Sequence, residues 1–136
     1  MSEKSFWALI RKKLPLKMYR VENKVMKGMP DIHYIKDGQS GWIELKYIDK
    51  WPKKRIAIGF KLNQSLWAKE YTAKGGKSWI LIRAERTHII LIKGEKADVL
   101  YKRPHVKDLI SMARWSKNKN MTDKDWDELA SILTIP

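Results

Sequence analysis

The dipeptide Asp37-Gly38 lies between two runs that read as strands, residues 30–36 (PDIHYIK) and 40–48 (SGWIELKYI). Asp-Gly in that setting signals a two-residue hairpin, because both central positions of the turn need positive φ. A two-residue turn has one register. Paired residue numbers then sum to 75, so Lys36 faces Gln39, Ile32 faces Ile43 and Asp31 faces Glu44. Opposed side chains share a sheet face, with Cβ atoms about 4.5–5.5 Å apart, as do residues two apart on one strand. Asp31, Glu44 and Lys46 therefore collect on one face. Ile32, Ile43 and Leu45 go to the other, where a core can take them. A three-residue loop would make the sum 76, pair Asp31 with Leu45 and part the two carboxylates.

The remaining elements follow from periodicity and punctuation. Residues 3–13 predict a helix carrying Phe6, Leu9 and Ile10 on one side, limited by Pro15. Tyr19–Asn23 predicts a strand, and Ile56–Phe60 is ambiguous. Residues 63–74 predict a helix ended by Gly75-Gly76. Residues 77–84 and 88–93 predict apolar strands, 98–102 an edge strand and 105–117 a helix. Thr122 with Asp125 caps a last helix whose apolar face is Trp126, Leu129, Ala130 and Leu133. The pattern predicts an α/β fold, with α+β the bordering class: a mixed central sheet flanked by helices. With 136 residues the chain is one domain, its core over about 3–93 and a C-terminal strand and helices over about 98–136.

Charge narrows the function. Residues 1–120 carry 28 basic and 11 acidic side chains, a net of +17, while residues 121–136 are net −3. So strong a field points to a polyanionic partner, with nucleic acid foremost. An anionic membrane surface fits less well, since no helix pairs a basic face with a broad apolar one. A solvated surface serving solubility is the bland alternative. The chain has no cysteine, which excludes disulfides, a thiolate zinc site and a cysteine nucleophile. No apolar run approaches the ~18 residues that span a bilayer, and the opening apolar segment is short for a signal peptide. The expectation is a soluble intracellular protein without membrane partners.

Two opposed carboxylates repel unless a cation joins them. Oxygen-only ligands favour a hard ion, Mg²⁺ or Mn²⁺. Such an ion polarises a phosphate oxygen and lowers the pKa of bound water, and Lys46 beside it is placed to orient that water or offset phosphate charge. A surface strand with an idle Glu–Lys pair is the alternative, and Glu-x-Lys alone is a common pattern.

These residues carry a family resemblance. Pro30-Asp31 with Glu44-Leu45-Lys46 resembles the signature of the PD-(D/E)xK nuclease superfamily. Gly28-Met29-Pro30-Asp31, Ile43-Glu44-Leu45-Lys46, and Gln64-Ser65-Leu66-Trp67 leading to Gly75-Gly76 are similar to motifs of its VRR-NUC branch, found in phage proteins. Arg20 before the aspartate strand also fits. The resemblance covers about residues 3–83, in the order of the superfamily's αβββαβ core, and implies a restriction-endonuclease-like fold. It implies a metal-dependent DNA endonuclease, with Asp31, Glu44 and the Leu45 carbonyl as metal ligands, Lys46 as catalytic lysine and Gln64 beside the site. Small stand-alone relatives are similar to Holliday-junction resolvases. The resemblance therefore implies branched or junction DNA as substrate, a symmetric homodimer, and the cytoplasm of a bacterial or phage-infected cell. An additional acidic residue is expected on the first helix; Glu3 stands there, and Glu22 competes with it. A basic DNA-binding protein without cleavage is the rival function.

Lys53, Lys54, Arg55 and Lys61 are candidate DNA contacts, set to hold backbone phosphates near the metal. Of seven tryptophans, Trp67, Trp79 and Trp126 read as core, and Trp51 is the candidate to stack on an unpaired base. Trp7 and Trp115 suit either a core or a dimer interface. His33 shares the carboxylate face, either touching substrate or metal or packing near Trp42. Lys74-Gly75-Gly76-Lys77 lacks the spacing of a nucleotide loop and reads as a helix stop.

Overall fold

A computed structural model describes residues 2–22 and 26–136. Six strands form one mixed sheet in sequence order: β1 (Lys17–Arg20), β2 (Ile32–Lys36), β3 (Gln39–Ile48), β4 (Ser78–Ala84), β5 (His88–Lys93) and β6 (Trp115–Lys117). β3 and β4 are parallel and the other neighbours antiparallel. Parallel strands need a crossover. Helix α2 (Leu62–Ala73) lies within it.

The β2–β3 turn has the expected two residues. Asp37 and Gly38 take φ values of 51° and 78°, and the register runs from Lys36 opposite Gln39 to Ile32 opposite Ile43. The three-residue alternative is excluded. Alternation along the strands then builds two cores. One holds Ile43, Leu45, Leu81 and Leu91 against Phe6 and Ile10 of α1 (Glu3–Lys13) and Trp126, Leu129 and Leu133 of α5 (Asp123–Leu133). The other holds Ile80, Ile82, Ile90 and Ile92 against Ala68 of α2, Leu100 of α3 (Ala97–Tyr101) and Leu109 of α4 (Val106–Met112). Every residue of β4 is buried, as a central strand covered on both faces requires. Each fully buried Ile or Leu contributes about 1.5–3 kcal/mol.

Both terminal helices are capped, the last by the Thr122–Asp125 pair its sequence suggests and the first by Ser2. Ser2 accepts from the Ser5 N–H at 3.1 Å, and Thr122 Oγ1 from the Asp125 N–H at 3.2 Å, while Asp125 accepts from the Thr122 N–H at 2.8 Å. Three expectations need correction. Residues 98–102, expected as an edge strand, lie in and just after α3, because Ala97 and Leu100 are buried at helical spacing while Val99 and Tyr101 face solvent. The helix expected over 105–117 stops at Met112, and Trp115–Lys117 pairs with the open edge of β5. The first strand is Lys17–Arg20, and Asn23, the end of the expected strand, lies outside the described residues.

The sheet is tied to the end of α5 through Tyr34, whose side chain is fully buried. Its hydroxyl donates to the Leu133 carbonyl at 2.6 Å and accepts from Trp79 Nε1 at 2.9 Å. Tyr34→Phe leaves both partners buried without that oxygen, and should cost about 1–3 kcal/mol in urea denaturation. Burial also pushes the phenol pKa up to about 12, against the opposing Trp79 hydrogen bond. The sign is set by the unfolded chain, which loses this proton near ~10. Tyr34 therefore supports folding fully below that pH, and the support is lost as pH rises toward 12. The phenylalanine variant should show a shallower loss of stability over that window; an unchanged alkaline titration would contradict this account.

Candidate metal and phosphodiester site

Glu44 and Lys46 point to the α2 side of the sheet, pairing in register with Ile80 and Ile82 of the core there. They are 5% and 8% exposed. Two charges this buried are costly unless they are held by partners. Lys46 Nζ lies 3.7 Å from Glu44 Oε2, donates to the Gly59 carbonyl at 3.4 Å and sits 5.9 Å from the centre of the Phe60 ring. Gln64, in the first turn of α2, is fixed from behind. Its Oε1 accepts from the Lys61 N–H at 2.9 Å, which turns Nε2 to donate to Glu44 Oε2 at 3.3 Å.

Asp31 enters from the other strand of the hairpin. Its carbonyl accepts from the Val21 N–H at 2.7 Å, which holds the chain ahead of β2 along the extension of β1. Glu3 arrives from the first turn of α1. One carboxylate oxygen from each of Glu3, Asp31 and Glu44 lies within 4.8 Å of the others. Glu3 belongs to this trio. Glu22 instead lines a neighbouring cleft of about 670 Å³ with Lys27, Gly28, Lys61, Asn63 and Gln64. The donor set suits a hard divalent cation: it is all carboxylate oxygen, close enough to share one ion, and mutually repulsive without one.

The other predicted residues separate. The Leu45 side chain is buried in the α1–α5 core, so only its backbone is available to the carboxylate face. Lys61 lies beside Gln64 at the cleft. Lys53, Lys54 and Arg55 are exposed in a segment tied elsewhere: Arg55 Nη1 donates to the Arg103 carbonyl at 2.9 Å, and the Val106 N–H donates to the Lys54 carbonyl at 2.7 Å. Trp51, expected as a base-stacking residue, is stacked on His88 at 4.5 Å. His33 packs against Trp42 at 4.9 Å. Trp67 is only partly buried and stacks on Tyr71 at 4.7 Å, whereas Trp79 and Trp126 are core. The sequence did not single out Gly59 and Phe60, which cover Lys46. Their segment has no periodicity, and a glycine at φ 68° is its one local sign of a fixed turn.

No family model matches the sequence, and no curated protein matches it. The fold is similar to the 1.6 Å structure of Archaeoglobus fulgidus Hjc, a Holliday junction resolvase from an archaeal hyperthermophile. The TM-score is 0.50 at 12% identity, and the match covers 96% of each chain. The mixed sheet flanked by helices is thus a restriction-endonuclease-like fold. Among the described residues no helix is long and apolar enough to cross a membrane.

Proposed function

We propose that this chain is a divalent-metal-dependent DNA endonuclease acting on branched DNA, of the VRR-NUC type within the PD-(D/E)xK superfamily. The observation that carries this is the convergence of Glu3, Asp31 and Glu44 beside a buried lysine, in a chain of net charge +14. The fold shared with a junction resolvase supports it. Asp31, Glu44, the Leu45 carbonyl and Glu3 would hold Mg²⁺ or Mn²⁺. When bound, such an ion supplies Lewis-acid activation of the phosphate and acidifies a water. Lys46, aimed by Glu44 and the Gly59 carbonyl, offsets the negative charge that builds on the phosphate as a water oxygen bonds to phosphorus, the water's proton passes to solvent and the bond to the leaving oxygen breaks. Gln64 steadies Glu44 and keeps its carboxylate toward Asp31. Lys61, with Lys53, Lys54 and Arg55 as outer contacts, holds backbone phosphates. A homodimer would present two such sites to the two strands of a junction.

The test is a substrate panel of labelled four-way junctions, flaps, single strands and linear duplex, with and without Mn²⁺. Metal-stimulated cutting that favours the branched substrates is expected. Tight, salt-sensitive binding of all of them with no cutting by clean protein would leave a basic DNA-binding protein in its place.

A further inference from the structure

A groove of about 580 Å³ runs between α1 and the edge strand β1, lined by Lys4, Trp7, Arg11, Tyr19, Arg20 and Glu22 among others. Two guanidiniums share one indole there: Arg11 and Arg20 each lie 6.0 Å from the centre of the Trp7 ring. Among the described residues neither pairs with a carboxylate. A guanidinium resting on an aromatic face keeps its planar N–H fork for an anion. Tyr19 is 52% exposed, and Lys17 Nζ lies 5.5 Å from its ring centre. Tyr19 alternates to the sheet face opposite Arg20, beside Lys17, so the aromatic and basic surface wraps around the edge strand and the half-exposed ring offers a stacking face there. Glu22 lines both this groove and the cleft bordered by Gln64, whose amide donates to Glu44.

We infer that this groove binds an unpaired nucleic-acid strand and leads it to the phosphodiester site. Aromatic faces interleaved with cations suit single strands, whose bases stack on rings while phosphates meet the charges. A duplex keeps its bases stacked inside and would use the cations alone. Pairing of β1 with the same edge of a second copy is disfavoured, because Lys17 and Arg20 on the exposed edge would meet their own like charges. The inference rests on the proposal that DNA is the substrate. It adds that a single-stranded arm, as at a flap or gap beside a branch, is the part this chain grips.

Binding is measured in EDTA, so that metal-dependent cleavage cannot intervene, with a labelled oligothymidylate and a blunt duplex of equal length. Tyr19→Ala should weaken oligothymidylate binding about tenfold. It should leave the salt slope and the duplex affinity unchanged, and Tyr19→Phe should restore binding. Arg11→Ala with Arg20→Ala should flatten the salt dependence for the single strand by about 1.4, the share of two phosphate contacts. Wild-type affinity in Tyr19→Ala would overturn the groove assignment, and so would equal losses on duplex and single strand. The two proposals fail separately. Cleavage by a protein whose strand binding ignores Tyr19 removes the groove. Tyr19-dependent binding without metal-stimulated cleavage keeps the groove and removes the nuclease.

Discussion

Asp31→Asn should reduce Mn²⁺-stimulated cleavage by about 10³-fold while leaving DNA binding in EDTA at least as tight as in the wild type. The two effects have opposite signs for one reason. The carboxylate is needed to hold a cation, but on a basic surface it repels the phosphate backbone. Glu3, Asp31 and Glu44 crowd three acidic groups within 4.8 Å. Adding Mn²⁺ should then raise the melting temperature of the wild type, since a ligand bound to the native state stabilises it, and do little for the variant. Glu44→Gln should behave alike in cleavage but less kindly in stability, because it removes the charge 3.7 Å from buried Lys46. An Asp31→Asn protein that still cuts at the wild-type rate and still gains stability from Mn²⁺ would end the proposed metal role.

Gly28→Ala should lower cleavage by about 10²-fold with the fold retained, through displacement alone. Gly28 has φ 85°, and a Cβ built there falls 2.2 Å from the Asn63 carbonyl oxygen and 3.0 Å from the Gln64 nitrogen. Those atoms are backbone, so no rotamer change relieves the clash. The loop carrying Asp31 and the first turn of α2 carrying Gln64 must move apart, and the contact between Gln64 and Glu44, already 3.3 Å, is the first to stretch. Gly38→Ala is the control. Gly38 has φ 78° with nothing within 4 Å of the added carbon, so it bears the same left-handed strain of about 1–2 kcal/mol without a collision. Cleavage should survive in Gly38→Ala and fall in Gly28→Ala. Equal activity in the two would mean the loop–helix contact does not set the site.

What was legible in the sequence was what short-range rules decide. Asp37-Gly38 fixed a turn, the turn fixed a register, and the register placed Asp31 on the face of Glu44 and Lys46. The cap at Thr122 lies within three residues of its partner and is equally local. The misread elements answer to distant neighbours. Val99 and Tyr101 mimic the alternation of a strand, but helical spacing buries Ala97 and Leu100. Trp115–Lys117 becomes a strand because β5 presents an unpaired edge to it. Trp51 finds His88, 37 residues away, for its stacking partner. The choice between Glu3 and Glu22 likewise needed the docking of α1 on the sheet, which no pattern within the helix records.

The three carboxylates are borne by a helix start, a loop and a strand, and each is held by different long-range packing. None of the local elements owns the constellation. A polypeptide cut short after Lys46 carries every one of these side chains but lacks the helix and the parallel strand that hold Glu44 and Lys46 in place, so the arrangement exists only in the folded whole.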